Sequence, residues 1–275
     1  MSFKGYDISV KGASHIARDM ACQDHSGNFC CDDYCVAIVS DGHGGERHFR
    51  SGDGAEKAVN IALEAVKEFI LCEKDYLPEM AGRYKTVLKQ LAGCISARWS
   101  DAVIDHFNNN PITEFEQDIY DKYYSGVNDG ADPNITAMYG ATLIIGVITA
   151  SYAFAIQTGD GACVVMQQDG NCFIPPETID DRLFLGYTTS LCDLNALDNF
   201  RYYYDQDAPK AIVLSSDGVV DSYGKNEFIK FILALCDLFY ENYEEALSHL
   251  SDWLPKLSAR GSKDDMTVAG IYCSE

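Results

Sequence analysis

The sequence predicts an α+β fold with helices covering packed sheets, on two observations. Strand-like apolar runs come in consecutive groups, with pairs of long amphipathic helices between the groups. Three of those runs also border acidic steps far apart in the chain. Asp41-Gly42 follows Val36-Ala37-Ile38-Val39, Asp217-Gly218 follows Ala211-Ile212-Val213-Leu214, and Asp264-Asp265 precedes Met266-Thr267-Val268-Ala269-Gly270-Ile271. Carboxylates at separate strand ends imply one site assembled by the fold.

Taken in order, Tyr6 to Val10 alternates and reads as an edge-type strand, and Cys35 to Ser40 is a continuous apolar run, the pattern of a buried strand. Gly54 to Cys72 carries Ala55, Ala58, Val59, Ala62, Leu63, Val66, Phe69 and Ile70 at helical spacing. Tyr84 to Phe107 repeats the pattern through Val87, Leu88, Leu91, Ile95, Trp99, Val103 and Ile104, with an interruption expected near Gly93. Residues 108–137, rich in Asn, Gly, Pro and acids, read as a long connection around a short helix. Thr142 to Thr149, Ser151 to Thr158 and Ala162 to Gln167 then read as strands joined by short turns, with a short fourth at Asn171 to Ile174. Residues 175–200 read as exposed loop, and Phe200 to Tyr204 and Ala211 to Ser215 resume the sheet. Phe228 to Tyr240 and Tyr243 to Leu257 are helical, and the last strand spans about Met266 to Cys273. No repeat or linker divides the 275 residues, so a single domain, 1–275, is expected.

Composition excludes several classes. No apolar stretch reaches the roughly 20 residues that span a bilayer, and the first residues lack a signal-peptide core. A net charge of −21 with no basic stripe argues against nucleic-acid binding. The eleven cysteines include no Cys-x-x-Cys pair, so reduced thiols and a cytoplasmic location are expected. No Cys-x5-Arg loop is present, which argues against thiol-based phosphate chemistry.

The acidic strand ends carry the chemistry. An aspartate at a strand tip, followed by glycines that let carbonyls and an anion approach, suits a hard divalent cation. The six motifs in order are Gly12-Ala13-Ser14-His15 with Cys22-Gln23-Asp24, Ser40-Asp41-Gly42-His43-Gly44-Gly45, Gly140-Ala141-Thr142-Leu143, Thr158-Gly159-Asp160-Gly161, Ser215-Ser216-Asp217-Gly218-Val219-Val220-Asp221, and Lys263-Asp264-Asp265-Met266-Thr267-Val268. In that order they resemble the metal-dependent protein phosphatases of the protein phosphatase 2C type, over nearly the whole chain and with the first motif of a divergent bacterial branch.

The resemblance implies a four-layer α-β-β-α sandwich with two central, mostly antiparallel sheets flanked by helices. It implies two manganese or magnesium ions between the sheets, and room for a third. Asp41 would bridge both cations and the Gly42 carbonyl would bind one. Asp217 and Asp264 would complete the direct ligands, with Asp24 acting through a coordinated water and Asp160 at the third, weaker position. Asp221, Asp265 and Gln23 are expected beside the cluster. The implied reaction is hydrolysis of phosphoserine or phosphothreonine in proteins by a water or hydroxide bridging the two ions. The leaving alkoxide would take its proton from His43, whose ordinary pKa near 6.5 suits the role, or from a metal-bound water. The partner is a phosphoprotein, and a partner Ser/Thr kinase is a family-level expectation.

Each assignment has a plainer rival. Asp160 could be an ordinary hairpin turn residue, His43 a hydrogen-bonding loop residue, Asp24 a solvated acid, and Asp265 the ligand in place of Asp264. One departure matters more. Many members carry an Arg five residues before the equivalent of Asp24, gripping the phosphate, and here that residue is Asp19. Arg18, Arg47, Arg50 and His15 are the candidate replacements. The missing guanidinium keeps open a catalytically silent module that binds a phosphoprotein or partner, and more remotely an acidic metal-binding scaffold.

Overall fold

The computed structural model describes residues 2–125, 134–180 and 188–274. Ten strands form two five-stranded sheets in which every pairing among the described residues is antiparallel. The first sheet has the order β1 (Ser2–Val10), β10 (Met266–Ser274), β9 (Ala211–Ser215), β6 (Ala162–Met166), β7 (Cys172–Phe173). The second has the order β2 (His25–Cys30), β3 (Tyr34–Ser40), β4 (Leu143–Thr149), β5 (Ala153–Thr158), β8 (Arg201–Asp205).

The helices cover the outer faces. Against the second sheet lie α2 (Ser51–Leu71) and α3 (Glu73–Asn109), in a core containing Val59, Val66, Leu88, Ile95 and Trp99 with Val36, Ile38 and Ile145. Against the first lie α8 (Lys225–Glu241) and α9 (Tyr243–Arg260), through Phe228, Ile232, Leu250 and Leu254. Between the sheets is a third core of smaller side chains, among them Cys35, Ala37, Val39, Ile144, Ala155, Leu214 and Ala269. The architecture is therefore the expected α-β-β-α sandwich. It also explains why β3 shows no alternation. Val36 and Ile38 face the helices while Cys35, Ala37 and Val39 face the other sheet, so both faces are apolar.

Several elements differ from expectation. β1 begins at Ser2 because it pairs along its whole length with β10, from Ser2 opposite Ser274 to Val10 opposite Met266. β2, His-Ser-Gly-Asn-Phe-Cys, was not expected, because its positions are all half-buried and so carry no period-two contrast. The short α1 (Ala13–Ala17) was also unmarked. The helical path breaks at Arg83 (φ −138°, ψ 25°), not near Gly93, which continues as helix. The expected Asn171 to Ile174 strand is only the two residues of β7.

The expected short helix in the 108–137 connection is α4 (Glu114–Tyr123). It opens on a capping box in which Thr113 accepts from Glu116 N and Glu116 reaches back to Thr113 N. A further turn, α5 (Ile135–Met138), follows. Residues 126–133 of that connection and 181–187 of the 175–200 loop lie outside the described residues. The β2–β3 register sets Cys30 opposite Cys35, which brings their sulfurs together; the other nine cysteines are free. No helix among the described residues is long and apolar enough to cross a membrane.

Candidate metal centre

Asp41 leaves the end of β3 at the sheet–sheet edge. The β4 side holds it there: Asp41 N donates to Thr142 Oγ1 (3.0 Å), Thr142 N donates to Asp41 O (2.8 Å), and Ser40 Oγ donates to Thr142 O (2.6 Å). Gly42 N donates to Gln23 O, and His43 N donates to Gly140 O. A Cβ on Gly42 would lie 2.6 Å from Gln23 O and 2.8 Å from the Ser51 carbonyl, so the chain can pass only as glycine. Asp217 opens α7 (Asp217–Val220) directly after β9, on the opposite sheet. Behind it a Cβ on Gly218 would lie 2.1 Å from Asp265 O, which packs the Asp217 turn against the Asp264–Asp265 step.

These segments converge on one cavity of about 110 Å³, lined by Asp24, Asp41, Gly42, His43, Gly44, Thr142, Asp160, Thr188, Asp217, Asp264 and Asp265. The acids come from both sheets and from five separate chain segments. Asp160 sits in the β5–β6 turn, and its carboxylate accepts from the Thr188 hydroxyl, so it is a hairpin residue that also faces the cavity. Nothing in its sequence marked Thr188.

Electrostatics set these acids apart from surface aspartates. Burial raises Asp24 to about 8, with the Asp265 charge adding to the shift. Burial pushes Asp41 well above the ordinary carboxylate range, and Asp24 and Asp217 push it further. Asp217 rises to about 6, again chiefly from burial. Burial also raises Asp221, with Asp160 and Asp264 contributing. Asp41 and Asp217 lie close enough for each to act on the titration of the other. Thr267 and Ser216 moderate Asp24, yet Asp24 Oδ2 is buried with no partner in hydrogen-bonding geometry.

This donor set fits a hard divalent cation. It is all oxygen, it is anionic, and it contains a buried acceptor with no donor. No three acidic, imidazole or thiol groups among the described residues already stand at ligand spacing. Because Asp24 keeps its proton to about pH 8 when folded and loses it near 3.9 when unfolded, the metal-free protein loses stability as pH rises through that window. The melting temperature of chelator-treated protein is accordingly expected to fall by several degrees from pH 5 to pH 8, and added manganese to restore it. A flat or rising metal-free profile would contradict this.

Asp265 does not point freely at the cavity. Its Oδ1 accepts from Gly12 N and its Oδ2 from Gln23 N, both at 2.6 Å, and His15 Nδ1 lies 2.9 Å from Oδ1. Asp265 thus ties the first motif to the last. Asp264, half-exposed, is the freer carboxylate. Gln23 braces the loop through its carbonyl and through Nε2 donating to Ser51 Oγ (2.7 Å). His43 differs from the sequence-based expectation of an imidazole near 6.5. Burial lowers it to about 4, with His48 and Arg47 adding to the shift, so it is neutral at physiological pH.

The four candidate phosphate cations separate clearly. Arg50 is buried, and its guanidinium is spent on Glu116, on the Asn110 and Pro111 carbonyls and on the Tyr139 hydroxyl. His15 is buried under the Asp264–Asp265 step. Arg18 is exposed at the end of α1 and does not line the cavity. Arg47 is likewise exposed and outside the cavity lining, but it is close enough to His43 to depress it, and its Nε donates to His48 Nε2 (2.8 Å). The His48 ring packs 4.9 Å from the His43 ring. Nothing in the sequence flagged this Arg47–His48–His43 chain, because His48 sits outside every motif.

Solved structures with the same architecture include PppA, described as a key regulatory component of T6SS in Pseudomonas aeruginosa, at 15% identity and TM-score 0.55 over 99% of this chain and 98% of that one. The catalytic domain of the serine/threonine protein phosphatase PstP, solved with two manganese ions, matches at 15% identity and TM-score 0.55 over 100% and 99% of the two chains. The serine/threonine phosphatase of S. agalactiae matches at 17% identity and TM-score 0.55 over 99% and 100%. These likenesses establish the fold. No curated protein sequence matches significantly. The sequence profile described as Protein phosphatase 2C matches residues 11–255. With the motifs in order, the sandwich in place and the profile spanning most of its length, this chain belongs to the protein phosphatase 2C family.

Proposed function

We propose that this chain hydrolyses phosphoserine and phosphothreonine in proteins, as a single manganese- or magnesium-dependent catalytic domain. The observation that carries the reading is the convergence of acidic strand ends from both sheets on one small cavity holding an unpartnered buried carboxylate oxygen. In this reading Asp41, Asp217 and Asp264, with the Gly42 carbonyl, hold two cations. Asp24 stands beside them, Asp160 serves a third and weaker position, and Asp221, Asp265 and Gln23 support the set. Cations held by these residues would supply a more acidic water and compensation for the charge on the phosphoryl oxygens.

The chain's own residues do the rest. Thr142 and Gln23 fix the loop that carries Asp41 and His43. His43 is neutral, so it can hold a hydrogen bond to the leaving oxygen but has no imidazolium proton to give. The proton that the alkoxide needs comes from solvent. Arg47, braced on His48, supplies the guanidinium for the phosphate in place of the residue replaced by Asp19. Arg47→Ala is expected to raise KM for a phosphothreonine peptide roughly tenfold or more, as the loss of a charge-assisted contact implies, with a smaller effect on kcat. An unchanged KM would remove Arg47 from this role.

The absence of the usual arginine favours one second reading, a silent module that binds a phosphoprotein without cleaving it. Hydrolysis of a phosphothreonine peptide in the presence of manganese decides between them. Turnover supports the phosphatase, and binding without turnover supports the silent module. The natural substrate belongs with a protein kinase of the same signalling pair, in the cytoplasm of a bacterial cell. That part of the proposal rests on family membership alone.

A further inference from the structure

A second cavity of about 440 Å³ adjoins the carboxylate site, and Asp160 lines both. Its walls are otherwise largely apolar. Phe173 and Ile179 come from the β7 side, and Val220, Phe228 and Ile229 from α7 and α8. Gln157 also lines it. That residue is only 2% exposed, and its Nε2 donates to Gly161 O (2.7 Å), while its Oε1 has no hydrogen-bond partner. An apolar cavity with one unpaired buried acceptor suits a ligand that brings both hydrocarbon and an N–H donor.

We propose that this cavity is a substrate subsite for a large apolar side chain of the phosphoprotein, close in sequence to the phosphorylated residue. The inference rests on the phosphatase reading for the identity of the ligand. A phosphoresidue in the carboxylate site places its flanking chain beside Asp160, and an extended chain advances about 3.3 Å per residue, so the side chain concerned lies within about three residues of the phosphosite. A main-chain N–H of that segment supplies the donor that Gln157 Oε1 lacks. Asp160 and Asp221, both lining the cavity, disfavour an acidic side chain there. Selectivity of this kind would come from the protein surface next to the chemistry, leaving the reaction itself unchanged.

The test is a panel of phosphothreonine peptides carrying Phe, Ser or Asp at each flanking position within about three residues of the phosphate. Binding is read by fluorescence anisotropy and hydrolysis in parallel, with the full chain and manganese. At one position Phe is expected to exceed Ser by about tenfold or more in affinity and in kcat/KM, the gain expected for burying one large apolar side chain. Ile179→Asp, at a position already 46% exposed and so tolerant of change, and Ile229→Asp are each expected to bring that ratio toward unity. Equal ratios at every position, or a ratio that both variants preserve, would overturn the subsite. Selective binding without hydrolysis would refute the phosphatase reading and leave the subsite standing. Hydrolysis without selectivity would refute only the subsite.

Discussion

Asp41→Ala is expected to abolish phosphatase turnover, by about a thousandfold or more, while the protein stays folded. The two halves of the prediction have separate causes. Burial and its neighbours push the Asp41 carboxyl well above surface behaviour, and it lines the cavity together with Asp217 from the opposite sheet. Removing it takes away the group best placed to touch cations on both sides of the cavity, and losses of a charge-stabilising group at a reacting centre are commonly of this size. The fold should survive because the Asp41 backbone, not its side chain, makes the bonds to Thr142 that close the loop. Losing a buried carboxyl whose ionisation burial and its acidic neighbours oppose also removes an unfavourable group, so the metal-free variant should melt no lower than the metal-free parent. Circular dichroism and a melting curve check the fold, and hydrolysis of a phosphothreonine peptide checks the loss. Retained turnover would remove Asp41 from the centre of the mechanism.

Arg50→Ala is expected to have the largest effect on stability, about 3 kcal/mol or more. The guanidinium is buried at the start of α2, and its bonds to Glu116 tie α2 to the N-terminal turn of α4. Arg50 in turn holds the Glu116 carboxyl at about 2, well below its ordinary value. The substitution would leave that carboxylate with its capping bonds alone and would take a donor from the Asn110 and Pro111 carbonyls and from the Tyr139 hydroxyl, which would keep only its contact with His106 Nδ1. For a chain of this size the melting temperature should drop by roughly 6–12 °C. At a temperature where the variant is folded, KM for a phosphopeptide should be unchanged. A raised KM with unchanged stability would reverse the assignment and return Arg50 to the phosphate site. Together with Arg47→Ala, this pair of variants separates a structural arginine from a substrate-binding one only three residues away in sequence.

The fold was largely legible because most of its elements carry a strong periodic signal. The helices α2, α8 and α9 show apolar stripes, and β3, β4 and β9 are continuous apolar runs because both their faces are covered. β2 was not legible. It is half-buried along its length, and its place is set by pairing with β3, a long-range contact that no local pattern encodes. Glycine misled the reading of α3, where Gly93 sits in continuous helix and the break occurs at Arg83. Asp41, Asp160, Asp217 and Asp264 were visible because each follows or precedes a strand and sits beside a glycine or a second acid, whereas Asp24 has neither neighbour and was placed only by its motif. The second ring was not visible. Thr188 and His48 have no spacing relation to the acids and reach the site only through loop packing. Arg50 looked like a phosphate cation because it is close to the glycine motif in sequence, but the turn Glu46–His48 and the start of α2 carry it into the core.

The central claim is that buried acids from both sheets form a cation-dependent phosphatase site. The most direct test is to strip the full chain of metal, titrate it with manganese and magnesium, and follow hydrolysis of p-nitrophenyl phosphate and a phosphothreonine peptide, with Asp41→Ala alongside. Turnover that rises from zero with added cation and is missing from the variant is the predicted result. Turnover that persists without cation, or that the variant retains, would contradict the account, as would a protein that binds cation and phosphopeptide and hydrolyses neither substrate.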